Sequence, residues 1–265
     1  MRINRANAEA TFKHSYHSEP AGLSATRTAL SRLLRSMDSV GWSSREESGR
    51  LDRHALTRYA VGDANIFSRR QYQEAEKAAV EILIDCSGSM SDSILLANEF
   101  AIQLGKMLEK SKTEFCCYGF RSGETEYFYG ESNNGYVDGG NGYADGVRFI
   151  PFKGFGKKMS PVLMGSIEQS TGGGTPDYTA VWHGVNLISM RPEKKRVLFV
   201  IGDSAGYNIK AMQHLEKLAN KQGIVVIGIG IGYTDMPKCF TNATNIYKME
   251  DLAGVGLRSI IKALV

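Results

Sequence analysis

The sequence predicts an α/β protein: a doubly wound, mainly parallel sheet flanked by helices, with a small helical extension at the N-terminus. Two observations carry this expectation. From about residue 78 onward, apolar runs of strand length alternate with segments of helical periodicity, and that alternation calls for parallel strands joined by crossover helices. Two of the runs, Val80–Ile84 and Arg196–Gly202, end on an aspartate, Asp85 and Asp203. Both carboxylates therefore fall outside the carboxyl edge of the sheet, where open α/β sheets take their ligands.

Residues 1–75 read as the extension and 76–265 as the main domain. In the extension, Ala21–Met37 carries Leu23, Leu30, Leu33, Leu34 and Met37 near helical spacing. Asp52–Tyr59 reads as a second, short helix, and Ile66-Phe67 as an extended piece leading to the first sheet strand. In the main domain the strand ending at Asp85 is followed by a helix over Ile94–Glu109 and a strand over Thr113–Phe120. A short edge strand over Glu126–Tyr129 comes next. Gly130–Gly146 is a long loop rich in Tyr, Asn and Gly, a composition that suits adaptable recognition and simple disorder equally. Helices follow over Pro161–Gln169 and Tyr178–Met190, then the second aspartate-ended strand. The remainder reads as a helix closing over His214–Gln222, a central strand Ile224–Ile231, a last strand Asn245–Met249 and a helix Leu252–Leu264.

At 265 residues, 42% hydrophobic and 23% charged, the composition is that of a globular protein. No run of about 18 apolar residues offers a membrane span, and the polar segment Met1–Glu9 does not read as a signal peptide. Four cysteines (Cys86, Cys116, Cys117, Cys239) include no Cys-x-x-Cys pair. A structural zinc site is thereby disfavoured, and buried free thiols in a cytoplasmic setting are expected. The net charge of +4 is mild. Its basic residues are dispersed through the first 75 positions, with further groups at Lys153, Lys157, Lys158 and Lys194–Arg196, and dispersion argues against one continuous nucleic-acid face.

Enzymatic signatures are missing. Gly105-Lys106 and Gly156-Lys157 lack the upstream glycine of a nucleotide-binding P-loop, and Gly228-x-Gly230-x-Gly232 is not a dinucleotide fingerprint. Ser87 stands where a haloacid-dehalogenase-type phosphatase needs a second aspartate. No Gly-x-Ser-x-Gly elbow occurs. Cys86 should alternate away from the loop polar groups as a buried spacer, and His183 should lie on a helix face. The chain is expected to have no catalytic activity by itself.

What remains is a constellation of oxygen donors. Asp85-Cys86-Ser87-Gly88-Ser89 sends one carboxylate and two hydroxyls into one loop, Gly172-Gly173-Gly174-Thr175-Pro176-Asp177 is a glycine-rich loop carrying a threonine just before a helical pattern, and Asp203 closes the set. Any one of these aspartates alone fits a helix N-cap or turn equally well. Together and in this order, the three segments resemble the metal-ion-dependent adhesion site of the von Willebrand factor A domain family. That resemblance implies Ser87, Ser89 and Thr175 as direct or near-direct ligands, with Asp85 and Asp203 acting through water or by hydrogen bonds to the ligands. The ion implied is Mg²⁺, with Mn²⁺ or Ca²⁺ as alternatives. The third segment usually reads Ser-Asp-Gly in the family and here reads Gly-Asp-Ser.

Within that family the chain is most similar to the cobaltochelatase CobT type. The likeness rests on Gly49–Arg58 with Ile66-Phe67, and on Ile227–Gly230 with Glu250-Asp251-Leu252. It implies a cytoplasmic adaptor (in a host cytoplasm if viral) for a hexameric AAA+ ATPase of the MoxR or CobS kind, which would bind through an Asp or Glu completing the metal shell. Movement of the Thr175 loop would supply a two-state element. A cobaltochelatase subunit in cobalamin biosynthesis is one alternative, made less apt by the absence of the long N-terminal region and acidic linker of full-length subunits. A nucleic-acid-binding A-domain protein is the other.

Overall fold

The computed structural model describes residues 3–18, 41–71, 78–122, 146–204 and 207–251. The segments expected as helix at Ala21–Met37, strand at Glu126–Tyr129 and helix at Leu252–Leu264, and nearly all of the 130–146 loop, lie outside the described residues. The chain forms two units: Met1–Leu34 with Lys77–Val265, and Arg35–Glu76.

The larger unit is built on a six-stranded sheet. Its strands are β4 (Ala78–Asp85), β5 (Glu114–Ser122), β6 (Val147–Lys153), β7 (Lys195–Gly202), β8 (Ile224–Ile231) and β9 (Ala243–Ile246), in the spatial order β6-β5-β4-β7-β8-β9. All neighbours are parallel except β6, which runs antiparallel to β5. Every residue of β4 is buried, as a strand covered on both faces must be, and this is why it reads as a continuous apolar run.

Helix α3 (Ile94–Lys110) connects β4 to β5 and buries Phe100, Leu104 and Leu108 in a core with Val80, Ile82 and Ile84. Helices α5 (Asp177–Ser189) and α6 (Ile209–Lys221) cover the other face, packing Val181, Val185, Met212 and Leu215 on Leu83, Leu198 and Val200. The chain leaves β4 in one lateral direction and β7 in the other. Their carboxyl ends therefore form a topological switch point, and Asp85 and Asp203 stand on it. The doubly wound, mainly parallel fold expected from the sequence is the fold observed.

Helix α1 (Arg5–His17), which sequence periodicity does not reveal, belongs to this larger unit. Its last carbonyls have no partners within the helix. Gln103 of α3 donates to Ser15 O and Ser18 O, and Lys106 of the same helix donates to Tyr16 O at 2.5 Å. Its other end is tied by Asn4 N–H donating to Gln169 Oε1 at 2.8 Å. The short helix α4 (Pro161–Gly165) is followed by a 3-10 turn over Ser166–Gln169, so the helix expected over Pro161–Gln169 changes pitch midway. The last strand lies earlier than expected, at Ala243–Ile246 rather than from Asn245, because its pairing with Gly228–Ile231 sets the register.

The smaller unit is not purely helical. Strands β1 (Gly41–Glu46), β2 (Arg50–Leu51) and β3 (Phe67–Gln71) form an antiparallel sheet in the order β1-β3-β2. The expected helix at Asp52–Tyr59 is present as a 3-10 turn capped by Asp52, followed by α2 (Leu56–Tyr59). Only Ala55 and Ile66 are buried hydrophobics there among the described residues, and Trp42, Leu56, Tyr59 and Val61 are exposed. Among the described residues no helix is long and apolar enough to cross a membrane.

Candidate metal centre

The site begins with the end of β4. Asp85 is fully buried, and its Oδ1 accepts the Ser87 backbone N–H at 2.8 Å, an Asx turn that folds the loop back on the strand. The Ser87 and Ser89 hydroxyls then lie 3.0 Å apart. Ser87 is buried and Ser89 exposed, so the pair runs from the floor of the site to its mouth. Cys86, between Asp85 and Ser87, points into the opposite core as expected, and burial pushes its thiol well above its ordinary value.

The glycine-rich loop is stitched onto this turn by backbone alone. Gly172 N–H donates to Cys86 O and Gly88 N–H to Gly173 O, each at 2.9 Å. Ser122, at the end of β5, donates from its N–H to Gly174 O at 2.9 Å and accepts the Gly174 N–H on its hydroxyl at 2.5 Å. Arg121 adds a fork beneath the loop, its Nη1 donating to Ser170 O (3.2 Å) and Thr171 O (3.1 Å). Gly173 has φ +71, and a Cβ there would sit 2.6 Å from Ser122 O, so both conformation and space demand glycine. Thr175, half-buried, follows directly, and its hydroxyl makes no hydrogen bond among the described residues.

The third segment joins through Asp177 and Tyr207. Asp177, the first residue of α5, is fully buried. One of its carboxylate oxygens accepts the Tyr178 N–H at 2.7 Å and the other the Asn208 N–H at 2.8 Å, linking the threonine loop to the start of α6. Tyr207 donates its hydroxyl to Asp85 Oδ2 at 3.4 Å. Arg121 and Tyr207 support the site without any signal in the sequence. Asp177 closes the glycine-rich segment that the sequence marks, as an acid at the first position of a helical pattern, but is not among the expected ligands.

The reversed motif Gly202-Asp203-Ser204 has a physical reason at both ends. A Cβ at Gly202 would lie 2.8 Å from Asp85 Cβ and 2.9 Å from Tyr207 OH, so a serine does not fit there. Ser204 takes the left-handed conformation (φ +50) that glycine prefers, at a cost of about 1 kcal/mol. Its hydroxyl accepts the Asp235 N–H at 2.9 Å, which offsets that strain. Gly202→Ser is expected to destabilise the fold by about 1–3 kcal/mol through overpacking, measured by urea denaturation. A neutral result would show that Asp85 and Tyr207 have room to move.

Burial pushes the Asp85 carboxyl up to about 7, and the nearby Asp203 charge adds to the rise while the Ser87 and Tyr207 hydrogen bonds oppose it. No cationic side chain pairs with Asp85 among the described residues. A carboxyl so placed is held ionised most readily by a cation. Among the described residues no group of three or more His, Cys, Asp and Glu is arranged to hold a metal, so hydroxyl donors must complete any shell. Asp85, Asp203, Ser87, Ser89 and Thr175 offer oxygen alone, a set that fits a hard divalent ion such as Mg²⁺, Mn²⁺ or Ca²⁺.

No family model and no curated protein matches the chain. Among solved structures it is similar to proximal thread matrix protein 1 of the mussel byssus, at 18% identity and TM-score 0.48, over 71% of this chain and 47% of that one. It is similar to von Willebrand factor type A from Catenulispora acidiphila at 13% identity and TM-score 0.44, over 72% of this chain and 43% of that one. Manganese-loaded TRAP protein of Plasmodium vivax aligns at 12% identity and TM-score 0.46, over 72% of this chain and 74% of that one. This chain spans about half the length of the first two, and the manganese is a property of the Plasmodium protein.

Proposed function

We propose that the chain is a von Willebrand factor A-type protein that captures a protein partner in a metal-dependent manner, the partner being an AAA+ ATPase of the MoxR or CobS kind. One observation carries this reading: the Asp85–Ser89 turn and the Gly172–Thr175 loop are bonded to each other through Cys86 O and Gly173 O, at a buried Asp85 whose carboxyl also feels the charge of Asp203. Ser87, Ser89 and Thr175 would hold a Mg²⁺ ion, and Asp85 and Asp203 would anchor it from below. Such an ion supplies an open coordination position to an acidic side chain of the partner.

The chain's own residues do the rest. Asp85 fixes the turn through Ser87 N–H, Tyr207 holds the second carboxylate oxygen, and the Arg121 fork keeps the threonine loop seated. Thr175, whose hydroxyl has no partner among the described residues, would be the ligand most sensitive to loop position. In a pull-down with candidate ATPases of that kind, capture is expected in Mg²⁺, to be lost in EDTA, and to fall about tenfold or more in Thr175→Ala. Capture that persists unchanged in EDTA would overturn the mechanism.

A further inference from the structure

At the opposite edge of the sheet from Asp85, where β5 begins, a cavity of about 480 Å³ is lined by Glu109, Lys112, Glu114, Phe115, Lys153, Lys157 and Lys158, among others. Four lysines from three separate elements converge here. Lys153, at the end of β6, is only 5% exposed. Its ammonium donates to Phe115 O at 2.6 Å and to Gly154 O at 3.3 Å, and it stands 3.8 Å from the centre of the Phe115 ring. It forms no ion pair among the described residues, and burial pulls it below its ordinary value. Lys157 and Lys158 leave a tight turn closed by Lys157 N–H donating to Gly154 O, with Gly156 at φ +70.

Lys112 supplies an independent sign. The end of α3 is a Schellman motif: Lys112 N–H donates to Glu109 O and Thr113 N–H to Leu108 O, each at 3.0 Å. The residue at this left-handed position is ordinarily glycine, yet here a lysine occupies it at φ +57. A lysine held in the left-handed region beside three others points to a use for its charge. Two carboxylates also stand in the wall, and the charges of both act on Lys153 against the effect of burial, leaving four lysines against two acids. Glu114 accepts the Gly156 N–H and Glu109 the Met159 N–H, each at 2.9 Å, so they brace the lysine-bearing turn. Among the described residues, Lys112, Lys157 and Lys158 have no acidic partner.

We propose that this cavity binds a compact polyphosphate group, presented by a small ligand rather than by a polymer. Ammonium groups act as point charges that suit a tetrahedral phosphate, and the cations lining the cavity among the described residues are all lysines. At about 480 Å³ the cavity is larger than a single phosphate needs.

The test is calorimetric titration of the full chain with inorganic tripolyphosphate at low salt, in EDTA so that the metal centre contributes nothing. Binding is expected for the natural sequence, weakened about tenfold in Lys157→Glu/Lys158→Glu and weakened with rising salt. Lys112→Gly should move two readouts in opposite directions: weaker binding, and a Tm raised by about 2 °C as the left-handed strain is relieved. No heat of binding at low salt, or affinity unchanged in both variants, would overturn the proposal. So would binding of a single-stranded oligonucleotide that tripolyphosphate does not displace.

Discussion

Asp85→Asn is expected to weaken Mg²⁺ or Mn²⁺ binding by about 10- to 100-fold while leaving the fold intact. Asparagine keeps an oxygen that can accept the Ser87 N–H, so the turn survives; its NH2 takes the place of Oδ2 and must donate to the Tyr207 hydroxyl, which turns from donor to acceptor. In metal-free buffer the same change should be neutral or slightly stabilising, because the native carboxylate is buried and burial has already pushed it up to about 7. A variant that is as stable as the natural chain in EDTA and yet blind to the ion would separate coordination from folding. Titration calorimetry gives the affinity and a thermal scan in EDTA gives the stability. Asp85→Ala, which also removes the Ser87 and Tyr207 partner, should lose the ion and some stability together. An asparagine variant that binds the ion as tightly as the natural chain would show that the centre lies elsewhere.

The parts of this protein that are legible in the sequence are those whose physics is local. Val80–Ile84 reads as a strand because burial on both faces leaves no room for alternation, and Asp85-x-Ser87-x-Ser89 reads as a polar turn because its three oxygen-bearing side chains fall within five residues. Features made by distant partners are not legible. Helix α1 is held by Gln103 and Lys106, which lie nearly ninety positions away, and its own apolar pattern is weak. Strand β6 is an edge strand with Arg148, Phe149 and Ile150 half-buried and Pro151 exposed, so it lacks the run that marks the central strands. Tyr207 enters the site only because Gly202 leaves space for its hydroxyl beside Asp85, a three-body fit with no sequence signature. The swap of glycine and serine around Asp203 belongs to the same class: its reason is visible only once Asp85 and Asp235 are in place.

Glu81→Met is expected to stabilise the protein, by an amount that grows with pH. Glu81 sits in the middle of β4, fully buried, with neither carboxyl oxygen hydrogen-bonded among the described residues. It faces the backbone of α5, its Oε1 lying 3.2 Å from where a Cβ on Gly184 would stand, and pairs across the sheet with Cys116. Burial holds its carboxyl well above the ordinary value of 4.5, so the folded chain keeps the proton that the unfolded chain gives up. Below about pH 4.5 both states are protonated and nothing is lost. As pH rises beyond that, the unfolded state ionises first and is favoured by about 1.4 kcal/mol per pH unit, until the folded carboxyl titrates in turn. Methionine fills a similar volume without a charge to desolvate. The variant should therefore gain little at pH 4.5 and about 2–4 kcal/mol near pH 8, a rise in Tm of roughly 5–10 °C. Thermal scans of both proteins across pH 4.5–8 measure the difference directly. A gap that stays constant over that range would mean that Glu81 finds a compensating partner as it ionises. A variant less stable than the natural chain at every pH would mean that the carboxyl is satisfied where it stands.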